Sequence, residues 1–147
     1  MILDNQAIYA NAQLVTATGD NPSTNSYDHG PGNAGIGLAY AGGALWLLVK
    51  TNAAVTSGGA ATVQAVLQDS ADNTTFADVM TLNAPMTIAQ MGANKGQALA
   101  RFPAVLRRYT RVVFRVGTAT LTAGSFSAFV VMDADVQQYL ASGFRVG

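Results

Sequence analysis

An all-β sandwich is the fold class that this 147-residue sequence predicts. Three observations predict it. Several segments alternate apolar and polar residues with a period of two. Clusters of Gly, Pro, Asn and Ser separate those segments. All eight acidic residues are Asp, none is Glu, and fourteen Thr and fifteen Gly add to the bias away from helix. The many Ala residues pull the other way, so the alternation decides.

Taken in order, residues 13–18 form a weak strand, and Gly19-Asp20-Asn21-Pro22-Ser23 reads as a breaker cluster. Residues 19–43 are glycine-rich and poorly patterned, either a long loop or an extended arm crossing to a neighbour. Residues 44–50 are apolar on both faces: Leu45, Leu47 and Val49 point one way, Trp46 and Leu48 the other. A two-faced strand in a sandwich needs a cover, which a loop, the N-terminal arm or a neighbouring subunit would supply. Ser57-Gly58-Gly59 is the next turn. In residues 62–69, Val63, Ala65 and Leu67 alternate with Gln64, Val66 and Gln68. Weaker strands follow at 76–82, 87–91 and 97–102, with Gly92-Ala93-Asn94-Lys95-Gly96 as a turn between the last two.

The sharpest alternation spans residues 109–116. Thr110, Val112, Phe114 and Val116 share the face expected in the core; Tyr109, Arg111, Val113 and Arg115 share the other. In residues 125–133 the face of Phe126, Ala128, Val130 and Met132 is backed by apolar Phe129 and Val131, so this strand is expected to be covered on both sides. Seven to nine short strands fit a β-sandwich or jelly roll. We expect one domain, 1–147, with an N-terminal arm at 1–12 and a C-terminal tail at 134–147. Val136 to Leu140 has the length of one helical turn, and Tyr139, Leu140 and Phe144 are apolar anchors that would tie the tail down.

Charged residues are 11% of the chain and the formal net charge is zero. A charge-poor, apolar-rich surface favours association, and a neutral balance argues against nucleic acid, which needs an excess of Lys and Arg. With no cysteine and one histidine, thiolate sites are excluded and most imidazole metal sites are too. The first residues show no basic and apolar leader, and the longest strongly apolar run, 44–49, is too short to span a bilayer. The expectation is a soluble protein made in the cytoplasm, with no membrane partner.

Candidate chemistry is sparse. His29 beside Asp28 is not a preformed dyad, because adjacent residues point apart, and it reads as a loop histidine. Asp69-Ser70-Ala71-Asp72-Asn73 offers oxygens to calcium but lacks the EF-hand spacing, and the same residues make an ordinary turn. The basic feature is stronger. Arg101, Arg107, Arg108, Arg111 and Arg115 are five of the eight positive charges, with no acid between Arg101 and Arg115. Arg111 and Arg115 share a face with Tyr109. This is either a docking stripe for an acidic protein surface or a solvated sheet face.

The order of parts is Met1-Ile2-Leu3-Asp4, Ala17-Thr18-Gly19-Asp20, Ser26-Tyr27-Asp28, then Val63 to Asp72 with Phe76 beyond, then Arg108-Tyr109-Thr110-Arg111-Val112-Val113-Phe114, and a closing strand from Ala128 to Asp133. Over most of the chain this resembles the Bbp16-type capsid cement proteins of tailed bacteriophages. The resemblance implies a dimeric jelly-roll protein on the outside of an icosahedral shell, near two-fold positions. There it would clamp neighbouring major capsid proteins against internal DNA pressure, without catalytic residues or cofactor. The residues expected to bind capsid or a second copy are Trp46, Arg107, Arg108, Tyr109, Arg111, Arg115, Tyr139 and Phe144. The competing reading is a carbohydrate-binding jelly roll or adhesin, with Trp46, Tyr40, Tyr27 and Tyr9 as its aromatic candidates. An enzyme ranks third, for lack of an acid-base constellation.

Overall fold

A computed structural model describes residues 7–31, 45–103 and 105–131. Among them are ten strands: β1 (Ile8–Leu14), β2 (Gly19–Pro22), β3 (Tyr27–Asp28), β4 (Trp46–Thr56), β5 (Thr62–Ser70), β6 (Ala77–Thr81), β7 (Met86–Thr87), β8 (Gly96–Arg101), β9 (Tyr109–Gly117) and β10 (Ala123–Val131). One antiparallel sheet, sheet A, runs β1-β10-β4-β8. The other, sheet B, runs β2-β9-β5-β6, with β3 also on β9 and β7 also on β5. Setting β3 and β7 aside, eight strands are shared four and four between two sheets, early strands pairing with late ones. This is the double Greek key of a jelly roll, and the all-β sandwich expectation holds.

The core forms where the period-two patterns face each other. Thr110, Val112, Phe114 and Val116 of β9 and Val63, Ala65 and Leu67 of β5 are buried, as are Phe126, Ala128 and Val130 of β10. Phe114 and Phe126 bridge the sheets, their rings stacked at 5.1 Å between centroids. Each such side chain contributes about 2–3 kcal/mol through burial.

Four elements differ from the expectation, each for a physical reason. The strand expected at 13–18 begins earlier, at Ile8, so residues 8–12 of the expected arm lie in sheet A; residues 1–6 are outside the described residues. Tyr9 and Ala10 of β1 are core residues. A bulge at Ala12 (φ 49°) turns its amide onto Ser127 Oγ at 2.9 Å. The breaker cluster at 19–23 is instead the strand β2, paired from Gly19↔Val116 to Pro22↔Val113. An edge strand tolerates Pro, and the Asn21 side-chain Nδ2 donates to the carbonyls of Ala17, Gly19 and Phe114. β4 continues past Lys50 to Thr56, because buried Thr51 finds carbonyl partners at Gly92 and Lys95. The strand expected at 87–91 is only the end of β7 followed by a 3₁₀ turn, Ile88–Gln90, whose Gln90 side chain accepts from the Thr87 amide at 2.9 Å.

Candidate docking surfaces

Sheet B presents a charged outer face. Cross-strand pairing sets Gln64 against Arg115, Val66 against Val113 and Gln68 against Arg111, with Asp20 beside Arg115 on β2. Val66 and Val113 are fully buried although they point away from the core. Around them the arginines find partners within the chain. Arg115 donates to Asp20 of β2 (2.6 Å) and Asp78 of β6 (3.1 Å). The Arg111 guanidinium lies 3.8 Å over the Phe76 ring, and its Nε donates to Gln68 Oε1 at 2.9 Å. Hydrogen bonds from Arg115 lower the Asp20 carboxyl below its ordinary range; those from Gln68 and Arg115 do the same for Asp78.

Arg107 and Arg108 of the basic stretch are partnered too. Arg107 grips Asp69 through its backbone amide (2.9 Å) and Nε (2.7 Å), and the Asp69 side chain is only 11% exposed. Arg108 meets Asp28 in a bidentate pair, both bonds 2.8 Å, and stacks over the Tyr109 ring. That pair, with the Gly30 amide, pulls Asp28 down to about 2. The acids that the stretch 101–115 lacks thus arrive from β2, β3, β5 and β6. No local signal pointed to these partners: Asp20, Asp69 and Asp78 lie on strands that only the fold brings beside β9 or β5.

Sheet A presents the opposite face. Outward-pointing Ile8, Phe129, Leu48 and Leu99 form one row across β1, β10, β4 and β8; Val131, Trp46 and Arg101 form the next. Phe129 and Val131 are buried, while Ile8, Trp46, Leu48 and Leu99 are half-buried. The two-sided cover expected for the last strand is therefore present. Tyr139 and Phe144 lie outside the described residues, as does the whole tail, 134–147.

His29 is not a free loop residue. Its Nε2 shares a hydrogen bond with Thr110 Oγ1 at 2.9 Å, and Tyr9 Oη meets the same hydroxyl at 2.7 Å. The Tyr27 ring stands edge-on at 4.8 Å. Burial lowers the His29 pKa against the pull of Asp28. Tyr9, buried in this network, is not available to stack on a sugar. In the 69–73 segment, Asp72 closes its own turn by accepting from the Thr75 and Thr74 amides and Ser70 Oγ, which holds its pKa far below the usual carboxylate range. This is the turn reading of that segment. Among the described residues, no three His, Cys, Asp or Glu side chains group as metal ligands, and no helix is long and apolar enough to cross a membrane.

Paired faces of opposite character on an eight-stranded double Greek key define a jelly-roll protein whose broad surfaces are its distinctive features. The chain belongs to the Bbp16 family: the family model matches residues 9–130, from β1 to β10. It is a Bbp16-type phage protein. A search of curated proteins finds no match.

Proposed function

We propose that this is a capsid cement protein, which binds the outside of an icosahedral phage shell and clamps neighbouring major capsid proteins. The observation that carries the reading is the family match, which spans nearly the whole sandwich. The low charge and the apolar outer face of sheet A support an assembly role, since such surfaces favour association over a free monomer. The protein acts as a homodimer on the outer capsid surface of the virion. It is not an enzyme, takes no cofactor or metal, and engages neither nucleic acid nor membrane.

The test is to add purified protein to shells that lack it, then measure occupancy and resistance to heating. Saturable occupancy with a raised shell melting temperature is the expected result. Shells that stay bare at micromolar protein rule the reading out. Light scattering on the isolated protein checks the dimer, expected at twice the chain mass.

A further inference from the structure

Charge is absent from five long tracts of the sequence, 5–19, 30–49, 51–68, 79–94 and 116–132; the first, third and fifth share a place in the fold. The jelly-roll connectivity brings the middles of these three tracts to one end of the sandwich. There the β1–β2 connection (15–18), the β4–β5 connection (57–61) and the β9–β10 connection (118–122) meet. None of the three contains an ionisable side chain. Their exposed residues are Thr16, Ala17, Thr18, Gly58, Gly59, Ala60, Thr118, Thr120 and Thr122, all small, with exposed Leu14 (68%) at the rim.

The loops are bonded to one another. Ser57 Oγ donates to the Thr120 carbonyl at 2.6 Å, and the Thr122 amide donates to the Thr56 carbonyl at 2.8 Å. The hydroxyls of Thr56 and Thr122 meet at 2.8 Å, and the Leu121 amide donates to the Thr16 carbonyl at 3.0 Å. Gly59 packs so close to Ala119 that an added Cβ would stand 3.0 Å from it. Thr118 is held at φ 71°, a conformation that a β-branched residue rarely adopts. Three loops braced in this way lose little freedom when a partner covers them, which lowers the cost of binding. The opposite end carries Asp28, Asp69, Asp72, Arg107 and Arg108, locked mostly into pairs of their own.

We infer that this uncharged, threonine-rich loop end is the face that seats on the shell, against a neutral protein surface that offers peptide groups and small side chains. This rests on the cement reading and assigns the contact within it. Hydroxyl-to-backbone hydrogen bonds and close packing of small residues hold the contact, and ion pairs do not. Attachment is therefore expected to ignore ionic strength, which screens charge pairs and leaves packing untouched.

The experiment titrates shells lacking the protein with wild type and with Thr18→Lys/Thr120→Lys, at about 0.05 M and about 0.5 M salt. Both threonine side chains are exposed, so the variant is expected to keep the wild-type melting temperature. Wild-type affinity should change less than about threefold between the two salts, and the variant should lose at least about tenfold by burying unpaired charge. A variant that binds like wild type overturns the assignment. So does a wild-type affinity that collapses in high salt, a result independent of how the variant folds. Wild type failing to bind at either salt instead overturns the cement reading itself.

Discussion

The two outer faces of the sandwich are built from the same strand alternation and resolve it in opposite ways. On sheet B, polar positions hold Arg111, Arg115, Gln64 and Gln68; carboxylates from neighbouring strands neutralise Arg115, and Gln68 and the Phe76 ring hold Arg111. On sheet A, the corresponding positions hold Phe129, Leu48, Leu99 and Trp46, with few charges among them. The comparison teaches that an arginine-rich stretch is not by itself a docking surface. Arg115 and Asp20 are 95 residues apart in the chain, and Arg108 and Asp28 are 80 apart, yet each pair closes within one sandwich. A partner that wanted these arginines would have to displace carboxylates already in place.

The largest expected effect breaks the frame that both faces share. Phe114→Ala empties the centre of the core, where its ring stacks on Phe126, and should cost about 3–5 kcal/mol in chemical denaturation. A variant that melts within a degree or two of wild type would show that the two faces do not depend on a common core.

Next in size is a contrast inside the charged region. Arg107→Ala strands the carboxylate of Asp69, which is nearly enclosed, and should cost about 2 kcal/mol. Arg108→Ala removes an exposed, solvent-screened pair and should leave the denaturation midpoint close to that of wild type. Equal losses from both would mean that burial of the acid does not set the strength of these pairs.

Protonation sharpens the comparison further. His29 has a lowered pKa in the fold, so the unfolded chain binds its proton first. Stability should be full above the unfolded value of about 6.5 and decline as pH falls through it, levelling off once the folded histidine is also protonated. Asp20, Asp28 and Asp78 are lowered as well, so their contribution holds above about 4 and is lost as pH falls further. Denaturation midpoints measured across the range should show both declines, and His29→Gln should remove only the first. A flat profile between pH 7 and 5, in wild type as in the variant, would leave His29 without a role.

How much of this was legible depended on whether the signal was local. β5, β9 and β10 alternate within their own residues, so their inward faces could be read directly. β2 could not: Gly19-Asp20-Asn21-Pro22 carries turn chemistry, and only pairing with β9 makes it a strand. The arginine stripe was visible, but its partners lie on other strands, and nothing local announces that Asp20 will sit beside Arg115. Trp46 and the two-faced strand were legible because a run apolar on both faces is itself abnormal. The uncharged loop end was hidden in plain composition, since three separate tracts had to be folded together before they shared a surface.

The smallest expected effect separates the two candidate docking faces. Arg111→Ala/Arg115→Ala removes the guanidiniums that cross sheet B; the Arg115 partners Asp20 and Asp78 are about half exposed, at 46% and 48%, and Arg111 leaves behind only Gln68 and the Phe76 ring. Water can solvate those carboxylates, so each substitution should cost the fold within about 1 kcal/mol. If the arginines were spent on a desolvated acidic patch of the shell, their loss would cost about 2–5 kcal/mol of attachment. If they serve only to close the face of their own sheet, shell affinity should stay within about threefold of wild type, because an interaction absent from the complex has nothing to lose. Occupancy of shells by this variant, measured beside Thr18→Lys/Thr120→Lys, therefore ranks the faces directly. A tenfold loss from the arginine pair with none from the threonines would move the contact to sheet B and make its internal ion pairs a resting state that the shell exchanges for its own.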